Sequence, residues 1–205
     1  MEVRVLGSLL EKEATTPEYY PLTLNALTAA CNQKSSREPV MELDGETVAR
    51  AVFNLIKKGL IAEKSQPGSR ALRYTHNFSR LIEGSREEVA VLAVLMLRGP
   101  QTSGEIRSRS ERLAEFSSPA QVEEVLQRLA HHTMGPFVVK LARQPGRKEN
   151  RYAHLLCGAP EGSPVDDSKE KAESSSTVEA RLAKIEQRLS VLENRLLPNP
   201  KTETP

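Results

Sequence analysis

The sequence has few cysteines, no long apolar run and no secretory signal pattern, and each of these shortages excludes a class of protein. Its two cysteines, Cys31 and Cys157, match no metal-binding or redox spacing, so we expect neither a disulfide framework nor a metal site. The longest apolar run, Val89 to Leu97, is about half as long as a membrane span needs. The first residues lack the basic, apolar and small-residue succession of a secretory signal, so we expect a cytoplasmic protein.

The charges of the chain nearly cancel. Lys and Arg number 29 and Asp and Glu number 27, which gives a formal net charge of +2. Proteins hold duplex DNA largely by neutralising phosphates, and tight binders usually make several such contacts. The overall charge therefore gives no support for DNA binding, although clustered cations would still permit it.

The strongest positive feature is an internal repeat, which indicates a duplicated unit. The matched positions, in chain order, are Val3, Leu6 and Leu10 with Val89, Leu92 and Met96, then Val48, Val52 and Leu55 with Val122, Leu126 and Leu129, then Gln66-Pro67-Gly68 with Gln144-Pro145-Gly146. The order is kept while the spacing drifts by loop-sized amounts. The sequence therefore predicts two similar domains, over residues 1–80 and 81–157.

Each copy carries the apolar periodicity of three helices. In the first copy we expect a helix along the stripe from Val3 to Leu10, a second from about Thr23 to Cys31, and a third from about Asp44 to Lys58 that ends at Gly59. In the second copy, Thr102 and Ser118 have the sequence context of N-caps for the second and third helices.

After the third helix of each copy the pattern becomes extended. Strands are expected over 60–64 and 71–74 around Pro67-Gly68, and over 137–141 and 150–152 around Pro145-Gly146. Three helices followed by a β-hairpin are typical of a winged helix, a variant of the helix-turn-helix. The predicted fold class is α+β, mainly helical with small β-hairpins, as tandem winged-helix domains. Each copy alone has a thin core, so we expect the two copies to pack on one another.

The C-terminal residues follow a different pattern. Residues 158–175 are almost without apolar side chains and predict a disordered linker, and residues 198–205 predict a disordered tail. Residues 176–197 predict a coiled-coil helix. Its a/d seam is Val178, Leu182, Ile185, Leu189, Leu192 and Leu196.

The charges beside this seam favour a parallel homo-oligomer. The e positions are Glu179, Glu186 and Glu193, and the g positions are Arg181, Arg188 and Arg195. A parallel arrangement places each Arg opposite a Glu of the neighbouring helix, whereas an antiparallel one pairs like charges. We favour a dimer, although the mixed seam leaves trimers and tetramers open. The alternative is an amphipathic helix that docks on the protein's own domains.

Two stretches of the first copy resemble a known family. They are Tyr20-Pro21-Leu22-Thr23-Leu24-Asn25-Ala26-Leu27-Thr28 and Ala30-Cys31-Asn32-Gln33-Lys34-Ser35-Ser36-Arg37-Glu38-Pro39-Val40. On these residues the chain resembles the YceH family of bacterial proteins. The resemblance covers about residues 1–157 and implies a tandem winged-helix fold. It implies no particular activity.

The histidines and the motif content argue against catalysis. His76 and His154 occupy equivalent places in the repeat, which predicts hydrogen bonds to the backbone rather than chemistry. His131 and His132 are adjacent in a predicted helix and so point apart, which makes them poor joint metal ligands. The sequence has no glycine-rich phosphate loop, paired metal motif or nucleophile signature. We therefore expect neither an enzyme nor a bound cofactor.

The third helix of a winged helix most often enters the major groove of DNA. Opposite its apolar stripe, the first copy presents Arg50, Asn54 and Lys57, with Phe53 on the flank. Arg and Asn suit bidentate base recognition, and Lys57 could hold a phosphate. The alternative is an ordinary solvated helix face. In the second copy Glu124 replaces Arg50, which predicts a poor groove reader.

The hairpins and one loop offer further cations. The candidate phosphate contacts are Lys64 and Arg70 in the first hairpin, Arg143, Arg147, Lys148 and Arg151 in the second, and Lys34 and Arg37 in the loop before the third helix. Hairpin charges are also often merely solvated. The loop residues 32–37 could equally cap helix ends and stabilise the loop.

Two functions are compatible with these sequence features. The first is a DNA-binding protein, of the transcription-regulator type, that binds double-stranded DNA and self-associates through residues 177–197. The second is an adaptor that binds another protein and not DNA, since fold alone does not fix function. The near-neutral charge, the acidic third helix of the second copy and Phe53 suit this second function.

Overall fold

The computed structural model of the chain describes residues 1–65, 68 and 71–158. All of them lie in the first of the chain's two units, Met1–Val165. The predicted linker beyond Gly158, the predicted coiled-coil helix and the predicted tail lie outside the described residues. Gln66, Pro67, Ser69 and Arg70 of the first hairpin lie outside them too.

The first half of the described chain contains the three predicted helices and the predicted hairpin. Its elements are α1 (Glu2–Thr15), a 3-10 helix (Pro17–Tyr19), β1 (Leu22–Thr23), α2 (Leu24–Cys31), α3 (Gly45–Lys57), β2 (Ile61–Lys64), β3 (Arg73–His76) and the short α4 (Phe78–Leu81). Side chains cap two of the helices at their expected starts. The Thr23 hydroxyl accepts a hydrogen bond from the backbone N–H of Ala26, and the Asp44 carboxylate accepts one from Thr47.

The second half repeats this order. Its elements are α5 (Arg86–Arg98), α6 (Ser103–Ser110), α7 (Pro119–Ala130), β4 (Val138–Lys140) and β5 (Tyr152–His154). The predicted cap Thr102 forms a complete capping box with Glu105, and Ser118 caps α7. The second strand of each hairpin begins two residues later than predicted: β3 begins at Arg73, which pairs with Lys64, and β5 begins at Tyr152, which pairs with Lys140.

Both sheets are small and antiparallel. In the first half the strand order is β1-β3-β2, with Leu22 opposite Tyr74 and Ile61 opposite His76. Strand β1 was not predicted, because two residues are too few to show a period. In the second half, β4 and β5 form a two-stranded sheet. A single bridge from Gln101 to Tyr152 takes the place of the third strand. The predicted mixture of helices with small β-hairpins is confirmed.

One hydrophobic core runs through both halves, and the first helices of the halves, α1 and α5, lie at its centre. Val5 and Leu9 of α1 and Leu92 and Leu95 of α5 are fully buried in it. The helices approach closely at Gly7, where an added Cβ would lie 3.0 Å from the Cβ of Met96. The two halves therefore pack on one another as expected, while the domain boundary at residue 80 stays a prediction.

The apolar run of the sequence forms this central helix. Buried residues continue without interruption from Ala90 to Leu97 along α5, since neighbouring helices cover all its sides. Across the described residues, no helix combines the length and the apolar character that crossing a bilayer requires.

The two equivalent histidines at the strand ends differ from their prediction. The ring Nε2 of His76 lies 2.7 Å from Oε2 of Glu13, so the expected backbone partner is wrong for this residue. The Nδ1 atom of His154 is buried and has no hydrogen-bond partner among the described residues. Burial lowers the pKa of His154 below its usual value.

This lowered pKa predicts that the protein becomes less stable as the pH decreases. The folded protein keeps His154 neutral, whereas the unfolded chain binds a proton once the pH drops below about 6.5. The unfolded state then holds more protons, so the free energy of unfolding decreases from pH 7.5 to 5.5. Urea unfolding at both values should show a smaller decrease for His154→Gln than for the parent chain.

His131→Gln is the matched control, because it replaces an exposed histidine and leaves His154 in place. The stability of this variant should decrease between the two pH values by as much as that of the parent chain. An unchanged decrease in His154→Gln would show that His154 does not cause it.

Candidate nucleic-acid interface

Helix α3 separates a buried face from an exposed one. Val48, Val52 and Leu55 are buried in the core, as the helical period predicts. Arg50 and Lys57 lie on the exposed face. Their positions follow from the same period, since a helix buried along one stripe must expose the opposite stripe.

Arg50 is the residue of this face that is most available to a ligand. Its side chain is exposed, and it has no ion pair or side-chain hydrogen bond with a described residue. The nearest charge is at the start of the helix. The pKa of Asp44 is lowered chiefly by its hydrogen bond from the Thr47 backbone and, to a smaller extent, by the charge of Arg50. The guanidinium fork of Arg50 is thus free to donate to an incoming acceptor.

Lys57 and Phe53 form a pair on the same face. The Nζ atom of Lys57 lies 4.3 Å from the centre of the Phe53 ring, a cation–π contact. The ring itself is 55% exposed. An exposed aromatic side chain beside a lysine can contact either a base or an apolar protein surface.

Asn54, the third predicted reader, is turned toward the N-terminus of α1. Lys58 hydrogen-bonds to Glu2, and this contact is the first cause that lowers the pKa of that carboxylate; Asn54 contributes to the lowering to a smaller extent, so it lies near Glu2. Asn54 is half-buried beside this carboxylate, whereas Arg50 is exposed.

The hairpin cations divide into free and engaged side chains. Lys64, Arg143, Arg147 and Lys148 are exposed, and no ion pair joins them to another residue in the described ranges. Arg151 is half-buried and already has partners: its guanidinium donates to the carbonyl of Pro100 at 2.6 Å and to Glu105 at 3.2 Å. Arg70 lies outside the described residues.

The third helix of the second half, α7, presents mainly carboxylates. Glu123 and Glu124 are exposed, and Glu123 accepts a hydrogen bond from Ser103. The one Arg of the helix, Arg128, forms an ion pair with Glu88 at 2.9 Å. His131 directly follows the last residue of α7, and its ring Nδ1 lies 3.0 Å from the carbonyl oxygen of Gln127. This face carries negative charge where α3 carries a free Arg.

The side chains at both ends of the loop from Asn32 to Arg37 form hydrogen bonds within the protein. The guanidinium of Arg37 is completely buried and donates to Oε1 and Oε2 of Glu11, at 3.0 and 2.6 Å, and to the carbonyl of Ala30. The Asn32 amide pairs with the backbone of Leu43 in both directions. Arg37 therefore cannot reach a phosphate, and we remove it from the predicted interface. Lys34 is exposed.

The structure also brings four basic side chains together that the sequence pattern did not predict to be close. Lys12, Arg98, Arg109 and Arg112 line one cavity beside this loop. They come from three helices and their flanks, so no local spacing indicated them. In contrast, the described residues contain no group of three or more His, Cys, Asp or Glu placed to hold a metal ion.

These features define an α+β protein of repeated helix-and-hairpin halves with an exposed, partly cationic helix face. The chain belongs to the family described as "Protein of unknown function, DUF480", whose family model matches residues 1–147. The resemblance to the YceH family is confirmed by relatives of that name.

The relatives are similar over most of their length. A UPF0502 protein of Geobacter metallireducens is 57% identical over 160 residues, which cover 78% of this chain and 72% of the relative. The UPF0502 protein YceH of Escherichia fergusonii is 44% identical over 203 residues, 95% of this chain and 92% of the relative. A UPF0502 protein of Aliivibrio fischeri is 48% identical over 189 residues, 90% and 86% of the two chains.

Proposed function

We propose that this protein is a cytoplasmic, non-catalytic DNA-binding protein of the transcription-regulator type, built on two winged-helix domains. The observation that carries the proposal is Arg50, an exposed guanidinium without an ion-pair partner in the described chain, on the outward face of α3. In a winged helix this third helix is the one that enters the major groove.

The chemistry of the α3 face supports base and phosphate contacts together. The Arg guanidinium donates two parallel hydrogen bonds to O6 and N7 of guanine, the commonest specific base contact. Phe53 can make apolar contact with a thymine methyl group, and Lys57 lies beside it to hold a phosphate. We assign no base contact to Asn54, because its side chain is half-buried near the carboxylate of Glu2.

The hairpins would contribute the sequence-independent part of the affinity. Lys64 in the first hairpin and Arg143, Arg147 and Lys148 in the second are exposed cations suited to the DNA backbone. The acidic face of α7 would repel phosphate, so we propose that only the first domain reads bases.

The heptad pattern of residues 176–197 supports self-association as a parallel dimer. Two copies of α3 would then bind two half-sites, as in other helix-turn-helix dimers. These residues lie outside the described part of the chain, and this step rests on their sequence alone.

Arg50→Ala is expected to weaken DNA binding by the full chain by about 1–3 kcal/mol, since a bidentate base contact is lost. Lys57→Ala should weaken binding to all sequences evenly and reduce the salt slope by about one. The measurement is fluorescence anisotropy with mixed-sequence duplex fragments over a series of salt concentrations.

Arg80→Ala is the matched control, because Arg80 is exposed and lies on α4, outside the proposed interface. Binding that does not weaken with rising salt, or that Arg50→Ala leaves unchanged, would contradict the proposal. Complete absence of DNA binding would favour the second candidate, a protein adaptor. The exposed ring of Phe53 and the acidic α7 are the features that support it.

A further inference from the structure

A small cavity lies where the loop 33–36 of the first half meets the end of α5 and the helix α6. Its volume is about 130 Å³, and α1 closes one side. Val94, Leu97 and Leu113 form its apolar part. Its charged lining consists of four cations, Lys12, Arg98, Arg109 and Arg112, and one carboxylate, Glu11.

The single carboxylate of the lining does not neutralise these cations. Both oxygens of Glu11 accept hydrogen bonds from the buried guanidinium of Arg37, which lies behind the cavity wall. Lys12 reaches Glu11 only at 4.0 Å. Since Arg37 already balances Glu11, the cavity keeps an excess of positive charge.

Neutral acceptors hold two of the arginines in place. Arg98 donates from Nη2 to the hydroxyl of Ser36 at 2.8 Å. Arg109 donates from Nη1 to Oε1 of Gln101 at 2.7 Å. Gln101 is fully buried, and its own amide donates to the carbonyls of Val94 and Gly99. These contacts fix the guanidinium groups without cancelling their charge.

The remaining contacts of the cluster are weak or absent. Glu105 lies 3.7 Å from Arg109 and is shared with Arg151, which is closer at 3.2 Å. Arg112 is exposed and has no ion pair with any residue of the described chain. The pKa of Arg98 is lowered, first by burial and then by the charge of Arg109, while the charges of Glu11 and Glu38 oppose this lowering without reversing it, so the two guanidinium groups repel each other. A protein that assembles like charges around a cavity gains most from an anion placed between them.

We propose that this cavity binds the phosphate group of a small phosphorylated molecule. Four cations call for a multiply charged anion; a phosphomonoester carries about −1.5 to −2 at neutral pH, and a pyrophosphate carries more. Arg forks and hydroxyl donors match the several oxygens of a phosphate. The concave shape and small volume suit a compact group more than a continuous duplex backbone.

The ligand would also connect the two halves of the protein. Lys12 and Ser36 belong to the first half, whereas Arg98, Arg109 and Arg112 belong to the second. An anion bound by both sets stabilises their junction, and so it raises the melting temperature of the folded chain. Through this junction the ligand would set the relation of the base-reading first half to the second half, although binding itself is independent of the proposed DNA function.

Isothermal titration of the full chain with inorganic phosphate and with pyrophosphate tests the proposal. We expect saturable binding with pyrophosphate tighter than phosphate, and a higher melting temperature in their presence. Arg112→Ala and Arg109→Gln should each weaken binding about tenfold or more, because each removes a charge-assisted hydrogen bond. Arg112 is exposed, so its replacement should leave the fold intact.

Arg143→Ala separates this site from the proposed DNA interface. It should leave pyrophosphate binding unchanged and weaken binding to DNA. Arg112→Ala should weaken pyrophosphate binding and leave binding to DNA unchanged. Malonate, a dianion without phosphorus, is the chemical control. No binding of either phosphate, equal binding by parent and Arg112→Ala, or tighter binding of malonate than of pyrophosphate would each overturn the proposal. Loss of DNA binding in Arg112→Ala without any phosphate binding would assign the cavity to the nucleic-acid backbone instead.

Discussion

Replacing Glu11 by alanine is expected to lower the free energy of unfolding by about 3–5 kcal/mol. The substitution removes the carboxylate that meets the buried guanidinium of Arg37, through hydrogen bonds of 2.6 and 3.0 Å. An unpaired charge is then left in a site where Arg37 has no access to solvent. Urea unfolding monitored by circular dichroism measures the loss.

A double-mutant cycle distinguishes this interaction from general damage to α1. Arg37→Met should also destabilise the protein, but the pair Glu11→Ala with Arg37→Met should lose less than the sum of the single losses, because neither charge is then left alone. Glu42→Ala is the control, since this carboxylate is exposed and its loss should change stability by less than about 0.5 kcal/mol. Additive losses in the cycle would contradict the proposed pairing.

Replacing Gly7 by leucine is expected to cost about 3 kcal/mol or to prevent folding. A Cβ atom alone would lie 3.0 Å from Cβ of Met96 and 3.1 Å from Cγ of Leu97. The additional carbons of leucine have no space unless α1 moves away from α5. Because these two helices form the centre of the shared core, such a movement would open contacts in both halves.

Gly45→Leu is the matched control for this substitution. Gly45 begins α3, and no heavy atom lies within 4 Å of the position of its added Cβ. Both variants replace a helical glycine by leucine, but only Gly7 is buried in a helix interior with no space for the new side chain. Thermal unfolding should show a large decrease in melting temperature for Gly7→Leu alone. Similar values for the two variants would show that the close approach of α1 and α5 is not tight in solution.

The local elements of the fold could be predicted because their causes are local. The period of apolar residues along α3 and the caps at Thr23, Asp44 and Thr102 act within a few positions of the chain. The same is true of the hairpin turn at Pro145-Gly146. Because the sequence repeats, the helices and strands of the second half could be predicted from those of the first.

The candidate DNA interface could be predicted only in part from the sequence. Helical geometry places Arg50 and Lys57 on the outward face, and they are exposed there. Whether an outward side chain is free depends on what lies beside it. Asn54 meets Glu2 of α1 and Arg151 meets Glu105, and neither neighbour is near in the sequence.

The sequence by itself determined the helices, the hairpins, their duplication and the residues that face outward, because hydrophobic period and capping depend on neighbours along the chain. The tertiary structure decided which polar groups are available. Arg37 lies 26 residues from Glu11, and Arg98 lies 62 residues from Ser36. Packing buries Arg37 against Glu11 and places Arg98 in the wall of a cationic cavity. The free energy of a charge depends on its burial and its partners, and both are set by segments that meet only in the folded chain.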